Sequence, residues 1–290
     1  MTRQPVGTLV RTWRERRHRS QLDVAVAADV SSRHLSFIET GRATPSRLMI
    51  ARICEELDVP LRERNEVYLS AGYAPVHPER PLEDLGAARA AVDAVLSGHE
   101  PYPTAVVNVR WELLAANRAM RRFLDPLPDS LRKPKINMLR ASLHPDGLAG
   151  QLRNYAHWRD HTVRRVRRQR ERTADPELTA LCEEIEGYPV PDGSDEDAAH
   201  GSAVGQPDSP DSDLLAPMVL DTPFGTLSLF YVLSVFGAPR DVTLDEIALE
   251  TMFPADGHTR EVLFALAEHD DRDPQHVDGA KRQSFGSASP

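Results

Sequence analysis

The residues that invite a chemical reading lie between Ser31 and Arg42, in the stretch Ser-Ser-Arg-His-Leu-Ser-Phe-Ile-Glu-Thr-Gly-Arg. On a helix at about 100° per residue, Leu35 and Ile38 share a side with Ser31, and Ser32, Arg33, Ser36 and Phe37 fall opposite. A guanidinium can bond a guanine edge twice, a serine hydroxyl can bond a base or a phosphate, and a phenyl ring can touch a thymine methyl. Thr40 and Arg42 continue the polar set to the end of the stretch. Ser31 suits an N-cap, and Gly41 suits a left-handed exit. The chemistry on offer is hydrogen bonding in a groove of DNA. A surface helix of an ordinary bundle would show the same face, so the flanking residues must decide between the two.

Charge is the first of those flanking signals. The chain of 290 residues carries a net −9, but residues 1–54 hold ten Arg and four acidic residues, a net +6. The remaining 25 basic and 40 acidic residues leave −15. A basic head on an acidic body fits a DNA-binding module joined to something else. No apolar run reaches the roughly 18 residues of a membrane span, and no signal-peptide core is present. Cys54 and Cys182 are far apart and look like small apolar helix residues, so the expected location is the reducing cytoplasm.

The elements that would position the stretch follow in order. Val6, Leu9, Val10 and Trp13 recur at i, i+3, i+4 and i+7, which predicts an amphipathic helix over 6–17. Ser20 caps a second helix beginning at Gln21, with Leu22, Val24, Ala25 and Ala28 expected inward. Two short helices joined by a tight turn make a helix-turn-helix. Ser46 opens a fourth helix through Leu57, and a fifth is expected from Leu61 to Ala71, ending at Gly72.

Residues 6–72 resemble the five-helix lambda-repressor/Cro-type (XRE-type) DNA-binding domain. Trp13-Arg14, Ser20-Gln21, Ala27-Ala28, Val30-Ser31, Leu35, Ile38-Glu39 and Gly41-Arg42 carry the likeness. The resemblance implies a phosphate anchor at Gln21, a brace between Arg14 and Glu39, and base reading from Ser32, Arg33 and Phe37. The DNA-contacting set is expected to be Gln21, Ser31, Ser32, Arg33, Ser36, Phe37, Thr40 and Arg42. Two positions depart from the pattern. Asp29 stands where the turn usually has Gly, which Asp tolerates better than most residues. Arg19 stands where an apolar residue is usual.

Residues 73–82 hold three prolines and predict a stiff linker between a head at 1–72 and a second domain over 83–269. In that domain a helix is expected over 83–97, a strand over Thr104–Asn108, and a second strand over Trp111–Ala116. An Asn117-capped helix follows. Residues 136–186 read as mostly helical, with one helix over Leu148–Arg172. The run 187–213 reads as a flexible loop, Leu214–Asp221 and Leu227–Phe236 as strands, 243–253 as strand or mixed, and 257–268 as a last helix. Residues 270–290 read as a disordered tail.

This half resembles the ligand-binding domain of MmyB-like transcription regulators, a PAS-like fold. The likeness rests on His99-Glu100-Pro101-Tyr102-Pro103, Trp111–Asn117, Asn137–Arg140, Ser142–Leu148, Val235-Phe236-Gly237, Asp241–Leu244 and Phe253–Asp256. The fold class expected is therefore mainly α with an α+β second domain. A five-helix head precedes a PAS-like antiparallel sheet with a helical cover. Such a sheet can enclose an apolar cavity, and the resemblance implies a hydrophobic, fatty-acyl-like effector. Candidate lining residues are Val107, Trp111, Leu114, Phe123, Met138, Leu139, Trp158, Phe230 and Val232, each of which could equally be core.

Catalytic and metal readings find less support. His157 and His161 have the i, i+4 spacing of zinc ligands, but no third ligand is identifiable and Trp158 stands where a zinc protease has Glu. No G-x-S-x-G, phosphate loop or dinucleotide fingerprint occurs. The expectation is no enzyme, no metal and no resident cofactor. The expected protein is a regulator that binds double-stranded DNA as a homodimer, with a small hydrophobic ligand and no membrane partner. Two alternatives stay open: an enzyme or lipid carrier whose DNA binding is autoregulatory, and a regulator whose body binds another protein.

Overall fold

A computed structural model describes residues 4–173, 175–192 and 217–272. The chain forms two compact units. Taken over the described residues alone, one falls within Met1–Ala90, Arg165–Cys182 and Val235–Ala248, and the other within Ala91–Arg164, Glu183–Ser234 and Leu249–Pro290.

The first unit opens with five helices: α1 (Val6–Arg16), α2 (Gln21–Ala27), α3 (Ser32–Glu39), α4 (Arg47–Glu56) and α5 (Leu61–Ser70). Their caps are written in the sequence. Ser20 accepts from the Asp23 amide while Asp23 accepts from the Ser20 amide, a reciprocal box. Ser31 and Ser46 accept from the third amide of α3 and α4. The turn between α2 and α3 passes through Asp29 at φ 55°, the left-handed conformation that Gly usually supplies. Val10, Trp13, Val24, Ala25, Leu35, Ile38, Ile50 and Ile53 form one core. Leu22 departs from the expectation: it is 61% exposed. On a seven-residue helix whose Val24, Ala25 and Ala28 face inward, Leu22 and Val26 fall on the opposite side, and Val26 is also exposed.

The proline-rich segment is fastened along this unit. The Tyr73 hydroxyl donates to the Pro45 carbonyl, and Asn65 donates to the His77 carbonyl while accepting from the Val76 and His77 amides. A single 3-10 turn at Leu82–Asp84 then leads to α6 (Ala87–Gly98).

The second unit is built on a five-stranded sheet of order β2-β1-β5-β4-β3. Its strands are β1 (Thr104–Val107), β2 (Leu113–Ala116), β3 (Met218–Thr222), β4 (Gly225–Val235) and β5 (Ala248–Pro254). β1–β2 and β3–β4 are antiparallel pairs. Asn117 starts α7 (Arg118–Leu124), as its type predicts, and the short α8 (Asp129–Arg132) and α9 (Met138–Leu143) follow. Of the remaining helices, α10 (Tyr155–Thr173) and α11 (Pro176–Glu186) are each divided between the units, α12 (Val242–Glu246) belongs to the first, and α13 (Gly257–Arg272) belongs to the second.

Three boundaries differ from the sequence reading. β2 starts at Leu113 because Trp111 takes φ 63°, and its carbonyl accepts from the Met138 amide. The register then skips Leu114, a bulge. The long helix starts at Tyr155 because Leu152 bridges Leu220 and Asn154 bonds both the Pro217 carbonyl and the Val219 amide. The stretch 243–253 divides into α12 and β5, since Asp241 caps the Thr243 amide. Residues 193–213 of the expected loop, Leu214–Ala216 of the expected strand and 273–290 of the expected tail lie outside the described residues.

Candidate DNA interface and ligand site

The expected set lies on α3 and at its two ends, with Gln21 at the start of α2. Ser31, Ser32, Arg33, Thr40 and Arg42 are exposed, and Ser36 and Phe37 are half-buried. Not all are equally free. The Ser31 oxygen holds the His34 amide, and the Thr40 hydroxyl donates to the Ser36 carbonyl. Phe37 is partly shielded: the Arg33 guanidinium lies over its ring, 5.4 Å from the centroid. This i, i+4 pair keeps an apolar ring from full exposure and aims both groups from one side of the helix.

Behind this face sits Glu39, whose side chain is fully buried. Arg14 donates to it from Nε at 2.6 Å and from its terminal nitrogen at 2.9 Å. Gln21 donates from Nε2 at 2.8 Å, and the half-exposed Arg11 adds a longer contact at 3.4 Å. The carboxylate thus ties α1 and the start of α2 to the end of α3. Gln21, expected at a phosphate, spends one amide hydrogen on this brace.

The nine candidate ligand residues do not form one lining. Val107, Trp111, Met138, Leu139 and Trp158 are buried, Leu114, Phe123 and Phe230 are half-buried, and Val232 is 41% exposed. Successive strand residues face opposite sides. Tyr231 packs edge-on against Trp158 at 5.8 Å, so its neighbours Phe230 and Val232 address the other face of the sheet. There Phe230 stacks on Phe253 at 5.8 Å. Phe123 instead lines a shallow groove between α7 and α13, with Pro101 and Leu263.

Sequence reading missed the polar groups on the Trp158 side. His161 Nε2 lies 2.8 Å from the Tyr231 hydroxyl. Among the described residues, the buried Trp158 Nε1 and Thr162 Oγ1 have no hydrogen-bond partner. They are four residues apart on α10, hence on one face. The only sequence signal was the four-residue spacing of Trp158 and Thr162 within the expected helix over Leu148–Arg172.

A short, capped helix presenting Arg and hydroxyls, held by a buried carboxylate to the two helices before it, defines a helix-turn-helix DNA-binding protein. Residues 5–67 match the helix-turn-helix domain family, and residues 88–266 match the MmyB-like transcription regulator ligand binding domain. The second match spans more than half of the chain, which belongs to that family and is a DNA-binding transcription regulator. No curated protein matches the chain. Among solved structures it is similar to one described as "Structure of an RNA-binding Light-Oxygen-Voltage Receptor", at 14% identity and a TM-score of 0.24, over 90% of this chain. The chain spans 63% of that receptor chain. Among the described residues no helix is long and apolar enough to cross a membrane.

Proposed function

We propose that this chain is a cytoplasmic XRE-type regulator that reads a near-palindromic operator as a homodimer and answers to a small apolar ligand. The observation that carries the DNA half is the braced α3 face, with Arg33 exposed and free to leave Phe37 for a base edge. A single eight-residue helix reads too few base pairs alone, which favours two copies on two half-sites. A ligand in the body would shift the spacing of the two reading helices, and misfit lowers affinity. The sheet order and helical cover support a PAS-like body.

Selection of duplexes from a random pool tests the DNA half. Arg33→Ala should then cost about 1–3 kcal/mol on the selected operator and relax preference at one base pair. Equal losses on operator and random duplex would show that Arg33 meets phosphate alone.

For the ligand half, the supporting observation is the pair Trp158 Nε1 and Thr162 Oγ1. A buried, unpaired polar group costs about 1–3 kcal/mol, and an indole N–H can only donate. A ligand oxygen resting against both would remove that cost. Mass spectrometry of the purified protein should find a co-purified small molecule with an oxygen acceptor. Thr162→Val should weaken its retention, yet raise the stability of the stripped protein by about 1 kcal/mol, because an unsatisfied hydroxyl is gone. A stripped variant less stable than the parent would mean that a buried water already holds the hydroxyl.

A further inference from the structure

Helix α5 begins without a cap of its own, and the cap comes from far along the chain. Its N-cap residue is Pro60, which offers no side-chain acceptor. The Leu61 amide, one of the first-turn groups a helix leaves without an internal partner, donates instead to Asp245 Oδ2 at 3.0 Å. Next to it, Arg62 donates twice to Glu246, at 2.5 and 2.9 Å, and twice to Glu79, at 3.1 and 2.6 Å. Asp245 and Glu246 belong to α12 or close it, within the stretch that matches the ligand-binding family by sequence. In the folded chain, Val235–Ala248 nevertheless belongs to the same compact unit as the five N-terminal helices.

The attachment is continuous. The Val242 amide donates to the Pro78 carbonyl at 2.9 Å, and the Thr243 hydroxyl donates to the Arg80 carbonyl at 2.6 Å. Asp241, 4% exposed, caps α12 through one oxygen and accepts from Arg80 Nε at 3.1 Å through the other. From α5 the packing runs on to α1, and from α1 to α3 through Arg14 and Glu39. At its two ends the excursion leaves β4 and enters β5, which are neighbours in the sheet.

We infer that α12 is a positioning element for DNA reading: Asp245 and Glu246 hold α5, and through α5 and α1 they fix the pose of α3. The family assignment puts α12 in the sensing half, and the contacts put it in the reading half. By contact it belongs to the first unit, and by chain connection it lies between β4 and β5. This rests on the DNA-binding reading and needs no ligand to be tested.

The test uses the full chain and a duplex selected by the parent protein. Hydrogen exchange of the Leu61 amide and duplex affinity are measured for Asp245→Ala, Asp245→Asn and Glu246→Ala. Asp245→Ala should speed Leu61 exchange about tenfold or more and shift affinity by at least about threefold, the scale of coupling along a packed network. Asp245→Asn, which keeps an acceptor oxygen, should restore both. Glu246→Ala, which leaves the α5 cap in place, should shift affinity by itself and covers the case in which Asp245→Ala fails to fold. Affinities of both alanine variants within about twofold of the parent, with Leu61 exchange raised, would reduce α12 to a structural support and overturn the inference. So would an unprotected Leu61 amide in the parent. Failure of the parent to select any duplex would instead sink the DNA-binding reading.

Discussion

Glu39→Ala should cost about 3–5 kcal/mol, the scale for removing one partner of a buried ion pair, and DNA binding should go with it. The variant leaves the Arg14 guanidinium, only 12% exposed, without its carboxylate, and takes the acceptor from Gln21 as well. Domain stabilities are about 5–15 kcal/mol in all, so the loss is a large fraction of what holds the head. Arg11→Ala is the contrast: its guanidinium is 48% exposed and its bond long, so it should cost at most about 1 kcal/mol. The brace also has a pH signature. Burial pushes the Glu39 pKa up, but the hydrogen bonds from Arg14, Gln21 and Arg11 outweigh it, and the net shift is downward. A carboxyl with a depressed folded pKa contributes stability that is complete above its unfolded value, about 4.3, and is lost as pH falls through the folded value. Urea unfolding between neutral pH and about pH 3 should therefore show an acid loss in the parent that Glu39→Gln lacks. Identical acid slopes in the two would remove Glu39 as the cause.

That brace was legible in the sequence, and the reason shows which parts of this chain could be read. Caps, turns and helix faces are local: Ser20, Ser31, Ser46 and Asn117 announce helix starts because their side chains reach only three residues on. Asp29 and Gly41 announce left-handed turns for the same local reason. Arg14 and Glu39 are 25 residues apart, and only the family likeness paired them. Trp111 defeats local reading, since a bulky residue at positive φ has no sequence mark; its backbone is held by Asn108 and Met138. The split of Phe230 from Tyr231 was available from strand alternation alone, but the side facing α10 was not. Asp245 and Leu61 lie 184 residues apart, and nothing in either neighbourhood points to the other. The exposed polar face of α3 was thus visible from sequence, whereas the buried polar pair on α10 and the α12 attachment needed the fold.

Gly7→Ala should destabilise the head by about 2 kcal/mol or more, against the helix-propensity gain that the same change normally brings. Gly7 lies inside α1, where alanine would add about 1 kcal/mol through propensity. Here, however, a Cβ would sit 2.1 Å from the Ile38 carbonyl oxygen and 2.9 Å from that of Glu39. Both obstacles are backbone at the end of α3, so no side chain can turn aside. Either α1 lifts from α3 or the end of α3 moves. Each displacement separates Arg14 from Glu39, so the variant loses the brace along with the packing. Thermal unfolding should show a midpoint lower by about 10 °C, the scale for this loss in a small domain, together with weaker binding to the selected duplex. Gly98→Ala is the matched control. It ends α6 with nothing within 4 Å of a new Cβ and should be neutral or stabilising by a few tenths of a kcal/mol. If Gly7→Ala behaved like Gly98→Ala, α1 and α3 would not be locked together at this crossing. The route from α12 through α5 and α1 to the reading helix would then lose its last step.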